Sequence, residues 1–216
     1  MRTMHNVIPT MSQHMVSWLA IGIAAMILAG CTLFTSPTTT WSTFSGFEIT
    51  TDDDLQEAAE TVWNAIEAED YEQWAEFVHP DGVQFMQYGR AESTDVVLSS
   101  SQLANAAADT TAYSWWVFDG TWYPIELTIS EYMDRFIETL VWRSWDEITY
   151  NEVTQYGNVI NNIHDTFPNH HIVEWYNDGV DPQYGGMDWG SITFVFEEDN
   201  DGVRWLRGIA TSQRTT

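Results

Sequence analysis

The sequence predicts an α+β fold, an antiparallel sheet with helices packed on one face. Two patterns carry that expectation. In the first half, apolar residues recur at helical spacing, as in Leu55, Ala58, Ala59, Val62, Trp63 and Ile66. After Glu147 the period becomes two, and four short runs follow one another as strands. Helices first and consecutive strands last favour a sheet with its helices segregated to one side. The chain has 216 residues, 44% hydrophobic and 14% aromatic with 12 Trp, a composition that builds one sizeable core.

Each element has its own signal. Thr51-Asp52-Asp53-Asp54 opens the first helix, where side-chain oxygens cap free N–H groups and the acids favour the positive end of the dipole. A second helical set runs from Asp70 with Tyr71, Trp74, Ala75, Phe77 and Val78, and His79-Pro80-Asp81-Gly82 stops it. Val83, Phe85 and Tyr88 read as a strand. Ser99-Ser100-Ser101-Gln102 has the capping-box spacing before a short helix, Leu103 to Ala108. Tyr113 to Phe118 is a dense aromatic strand. Thr128 and Glu131 form another capping box, followed by the apolar stripe Ile129, Tyr132, Met133, Phe136, Ile137 and Leu140. The later strands are Glu147 to Thr154, His171 to Tyr176, Ser191 to Glu198 and Val203 to Thr211. Asp199-Asn200-Asp201-Gly202 joins the last two as a tight turn.

The segment before the domain reads as an export signal. Val16 to Leu28 is an uncharged apolar run, shorter than the roughly 20 residues a helix needs to cross a bilayer. It fits the apolar region of a signal peptide. Leu28-Ala29-Gly30-Cys31 follows, resembling the lipobox of bacterial lipoproteins, so Cys31 is the expected site of lipidation. The expected organisation is a signal peptide over 1–30, a Ser/Thr-rich tether over 31–51 and one domain over 52–216. The aromatics Trp41, Phe44 and Phe47 suggest that the later half of the tether packs on the domain. The expected location is the cell envelope, on the exported side of a bacterial membrane, with the lipid bilayer as partner through the Cys31 lipid.

Charge narrows the remaining partners. There are 32 acids against seven bases, all Arg, for a net charge of −25. Such a surface repels nucleic acid and anionic lipid head groups, so neither is an expected partner. A salt-rich or an alkaline medium is the expected source of the acidity. One cysteine allows no disulfide within the chain.

Glu67 to Phe85, EAEDYEQWAEFVHPDGVQF, resembles the opening of nuclear transport factor two-like (SnoaL-like) domains, and Trp205 to Ile209 resembles their final strand. The resemblance implies a curved sheet wrapped with helices into a cone with an internal pocket. More narrowly, His79 to Phe85, Ile148 to Glu152, Gly157 to Asn162, Gly185 to Trp189 and Val195 to Glu198 resemble a group of uncharacterised bacterial lipoproteins. Gln84 stands where that group carries Arg, and Ala210-Thr211-Ser212-Gln213-Arg214 replaces its His-Asp-x-Trp-Thr ending.

The candidate chemistry is sparse. His79 and Asp81 flank Pro80 near the expected cone mouth, where such a pair serves as general base and orienting acid. The alternative is that His79 caps a helix end and Asp81 makes the turn. His164, Asp165, His170 and His171 lie close together, but His170 and His171 would face opposite ways on a strand, so no metal site is expected. Asp199 to Gly202 resembles half a calcium loop without the closing Glu. Tyr184, Asp188 and Trp189 belong to a Gly- and Asp-rich loop, the candidate binding surface. Twelve tryptophans could line a sugar- or aromatic-binding cleft. Trp63, Trp74, Trp115 and Trp205 have core spacing, whereas Trp116, Trp122 and Trp145 suit exposed positions. No phosphate loop or nucleophile elbow is present, and no cofactor is expected. The leading expectation is a non-catalytic domain binding a small ligand or a protein. A hydrolase, isomerase or lyase using His79 and Asp81 is the alternative, and a structural envelope component is the third reading.

Overall fold

The computed structural model describes residues 46–213, except 119, 142 and 154–159. Cys31, the apolar run and the first part of the tether lie outside the described residues.

Helix α1 (Asp52–Glu67) begins at Thr51, whose hydroxyl accepts from the Asp54 N–H while the Asp54 carboxylate accepts from the N–H of Thr51. Its face of Leu55, Ala58, Ala59, Val62, Trp63 and Ile66 is buried. The short α2 (Tyr71–Ala75) leads through the His79 turn into β1 (Val83–Gln87), β2 (Val96–Leu98) and α3 (Ser100–Ala104). A ribbon of β3 (Tyr113–Val117) and β4 (Pro124–Leu127) precedes α4 (Ile129–Phe136), α5 (Glu138–Val141) and β5 (Glu147–Tyr150). Both expected capping boxes, Ser99 with Gln102 and Thr128 with Glu131, are formed. Then come α6 (Ile163–Thr166), β6 (His171–Asn177), β7 (Gly190–Glu198) and β8 (Arg204–Gln213).

Six strands form one sheet in the order β2-β1-β8-β7-β6-β5, while β3 and β4 pair apart from it. Every neighbouring pair is antiparallel except β1 and β8, which run parallel with Gln87 opposite Thr211. The sheet is thus mixed rather than wholly antiparallel. No hairpin links β1 to β8, so nothing local imposes opposed directions on them. Strand β2 is three consecutive apolar residues and β4 only four residues long, so neither shows an apolar–polar alternation.

The two faces of the sheet are both covered. Phe85, Val173, Trp175, Ile192, Phe194, Phe196 and Ile209 meet α1 and α4, with Tyr132, Met133 and Phe136 fully inside. On the reverse face Met86, Ile172, Val195 and Ala210 pack with Ile163 of α6, Phe167 and Ala91. The main helical layer therefore lies on one face, and the short α6 lends its single buried residue, Ile163, to the other. Phe47 bridges to Arg204 and stacks on Phe77 at 5.0 Å, so this end of the tether is built into the domain.

Candidate functional site

The His79–Asp81 pair is not assembled as a base and its orienting acid. His79 is held at the sheet edge, where its N–H donates to Leu206 O, and the residue is only 8% exposed. Its Nδ1 accepts the backbone N–H of Asp81 at 3.0 Å, with the largely exposed Asp81 carboxylate 3.9 Å away. The other ring nitrogen faces Glu197 at 3.8 Å. The same carboxylate oxygen receives Arg207 Nε at 3.1 Å and His170 Nε2 at 3.4 Å. This corner ties the helix end to β7 and β8.

The histidine group is dispersed: His164 is on α6, His170 lies in the bend before β6, and His171 opens that strand. His170 joins Glu197, and His171 lies near Arg204, where burial first and then that cation hold its pKa down. His164 and Asp165 line a separate open depression with Asn151, Glu152, Val153 and Asn161. Among the described residues no three His, Cys, Asp or Glu side chains converge as metal ligands. Asp199 is used up inside its turn: Oδ1 accepts from the Asp201 and Val203 N–H groups and Oδ2 from Trp205 Nε1.

The Asp178–Trp189 loop surrounds an open depression of about 410 Å3 and is braced by its own bonds and by Asp146 and Arg143. Asp188 Oδ2 accepts the N–H groups of Val180 and Asp181 at 2.8 and 2.9 Å, and these bonds hold its pKa below the ordinary value. Gly179 has φ 124°, and a side chain there would strike the Asp188 carboxylate. Trp189 is buried with its ring 6.1 Å from Tyr176, while Tyr184 is exposed. The three residues do not converge on one surface.

A different group converges at the mouth between β1 and the β3–β4 ribbon. The positions of β1 that face the helices are Val83, Phe85 and Gln87, so a carboxamide occupies a core-facing position. Gln87 is 4% exposed. Tyr132 Oη donates to its Oε1 at 2.7 Å, and burial drives the phenol pKa far upward. Tyr132 is itself stacked on Trp115 at 3.9 Å with an interplanar angle of 16°. The other end of the carboxamide, Nε2, is buried without a partner, while the hydroxyl of the facing Thr211 lies against the Tyr132 phenol. Such an orphan costs about 1–3 kcal/mol.

Above Gln87 lies a cavity of about 10 Å3, lined also by Arg90, Glu92, Asp95 and Trp116. Arg90 pairs with Glu92. Asp95 Oδ2 accepts from Gln84 Nε2 at 2.9 Å and from the Glu92 N–H at 2.8 Å, and burial raises its pKa. The loop carrying these groups is pinned from behind, since Asn162 exchanges two hydrogen bonds with the backbone of Ala91. Trp116 sits where the β3–β4 register shifts, between Ser114 and Val117. Its φ is 127°, a conformation that L residues rarely adopt, and 40% of its surface is exposed. The bulge turns Trp115 into the core and leaves Trp116 over the mouth. Trp122 is also exposed, at 93%, whereas Trp145 packs against Trp63 and Trp175. Gln87 and Thr211 escaped the sequence reading, although strand parity marks both as polar residues on the core face.

No family model matches the chain, and no characterised protein matches it in sequence. Solved structures of low identity do. It is similar to an NTF2-like protein from Cytophaga hutchinsonii at 9% identity and a TM-score of 0.37, over 76% of this chain and 99% of that one. It is also similar to a putative ketosteroid isomerase from Parabacteroides distasonis at 11% identity and a TM-score of 0.33, over 79% and 96% of the two chains. A third, from Mycobacterium tuberculosis in complex with estradiol-17beta-hemisuccinate, has 15% identity and a TM-score of 0.25, over 72% and 90%.

Proposed function

We propose that this chain is an exported lipoprotein, held at a membrane by a lipid on Cys31, whose folded domain binds a small ligand at the mouth beneath Trp116 and performs no chemistry on it. The anchoring half rests on the sequence Leu28-Ala29-Gly30-Cys31. Several acyl chains on one cysteine hold firmly, because each buried CH2 contributes about 0.8 kcal/mol.

The binding half rests on one observation: a buried carboxamide with an unpaired N–H faces a cavity under a strained, half-exposed tryptophan. A ligand oxygen accepting from Gln87 Nε2 would remove the cost of the orphan. Asp95 is held by two donors, and the Tyr132 phenol donates to Gln87. His79 belongs to the Glu197 corner.

Two measurements test this reading. Labelled palmitate should enter the wild type and not Cys31→Ala, and equal labelling of both would refute the anchor. A thermal-shift screen of neutral, cationic and anionic small molecules should find at least one that raises the melting temperature of the wild type and not of Trp116→Ala. If every stabilising compound acts equally on both proteins, the mouth is not the site.

A further inference from the structure

We infer that the ligand of the Trp116 mouth is an uncharged sugar, most simply a terminal pyranose of a neutral glycan. This inference rests on the mouth being a binding site and adds the class of ligand.

Size speaks first. The enclosed space of about 10 Å3 holds one hydroxyl-sized group and no more, since one water needs about 10–15 Å3 of such volume. A ligand must therefore lie mainly outside, on the exposed tryptophan, and send a single polar group inward. A drug-like apolar molecule has no room to bury its body there.

Chemistry speaks second. The group sent inward meets the Gln87 Nε2 donor, so it must accept a hydrogen bond. The rim carries the carboxylates of Asp95 and Glu92, which accept, and the guanidinium of Arg90, which donates. A set of donors and acceptors at one rim suits a ligand whose adjacent groups both donate and accept, and vicinal hydroxyls do so. Above them lies the flat apolar face of Trp116, against which the C–H face of a pyranose packs while its hydroxyls turn to the rim.

Charge speaks third. Arg90 is already paired with Glu92, so the rim offers no unneutralised cation to an anion. A chain of net charge −25 repels an anionic ligand as it approaches. Further along the same ribbon, Trp122 is 93% and Tyr123 75% exposed, which offers more aromatic surface to a chain of sugar units than to a single small molecule.

The test is calorimetric titration of the full chain, in a detergent without a sugar head group, with chitotriose, cellotriose, maltotriose and anionic sialyllactose. At least one neutral trisaccharide should bind with a Kd of about 1 mM or tighter. Trp116→Ala and Gln87→Leu should each weaken it by about tenfold or more, and Tyr184→Ala, remote in sequence and on the Asp178–Trp189 loop, should leave it unchanged. Should Gln87→Leu fail to fold, the exposed Trp116→Ala decides alone. Absence of binding by all three neutral sugars at about 10 mM, ten times that Kd, overturns the inference. So does preference for sialyllactose, or binding that Trp116→Ala does not weaken. The two readings fail separately: if another class of compound stabilises the wild type but not Trp116→Ala, the site stands and the sugar falls.

Discussion

The two ends of the aromatic core use the same residue types for opposite purposes. Around α1, Trp63, Trp145, Trp175 and Phe194 meet edge to face, with centroids 5.5–5.9 Å apart along the chain of contacts. None of these four residues has a positive φ and each ring fills volume, although Trp175 Nε1 is also buried without a partner; no cavity adjoins it among those described. Around α4, Trp115 and Tyr132 lie flat on one another, a carboxamide and a hydroxyl replace apolar side chains, and Trp116 is forced to a positive φ. The difference comes from one backbone irregularity. The shifted register of β3 sends two consecutive tryptophans to different surroundings, one into the core and one over a cavity. Aromatic abundance alone therefore says little about function; polar atoms left unsatisfied beside a cavity say more.

The contrast breaks most easily by truncation. Trp63→Ala removes a ring buried on all sides and should cost about 3–5 kcal/mol in chemical denaturation, whereas Trp116→Ala should cost less than about 1 kcal/mol. Similar losses at both would mean that Trp116 is a packing residue after all. Thr211→Val is a sharper probe of the polar end. It keeps the side chain's shape and deletes the hydroxyl that lies against the Tyr132 phenol, so stability should fall by no more than about 1 kcal/mol. A larger loss would show that this hydroxyl, and not the Trp115–Tyr132 stack, holds the polar end together.

Two smaller effects lie away from the core. Asp54 accepts from Thr50 and Thr51 at the start of α1, and these hydrogen bonds lower its pKa from 3.8 to about 2. A depressed pKa means that the contribution is present above the unfolded value and lost as pH falls from 3.8 toward 2. Asp54→Asn should therefore flatten that acid limb of the stability profile, and an unchanged limb would contradict the assignment. The acidic surface should respond to salt as well. The Debye length falls from about 10 Å at 0.1 M to about 3 Å at 1 M, so molar NaCl should raise the melting temperature. A fall or no change would remove self-repulsion as a significant term, and with it the expectation of a salt-rich medium over an alkaline one.

Much of the fold was legible because its signals are local. Thr51, Ser99 and Thr128 announce their helices through oxygens that reach only three residues onward. The hairpin of β7 and β8 follows from its turn, and the burial of Phe136 from its stripe. What was illegible depends on distant pairing. The parallel contact of β1 with β8 places Gln87 opposite Thr211 across more than half the chain, and no spacing encodes that. The partners of His79 were hidden for the same reason, since Glu197 and Arg207 arrive from the last two strands. Parity along β1 did carry a usable signal. With Val83 and Phe85 inward, Gln87 must be inward too, and a polar residue at such a position asks for a partner.

The proposed binding at the mouth rests above all on the unpaired end of Gln87. The direct measurement is a 1H–15N spectrum of the full chain, with the Gln87 side-chain NH2 assigned by its loss in Gln87→Leu, followed through a titration with chitotriose, cellotriose or maltotriose. The Gln87 NH2 and Trp116 indole resonances should shift together and saturate at the same sugar concentration. Shifts confined to the loop around Tyr184 and Met187, with the Gln87 signals unmoved at saturation, would contradict a sugar site beneath Trp116.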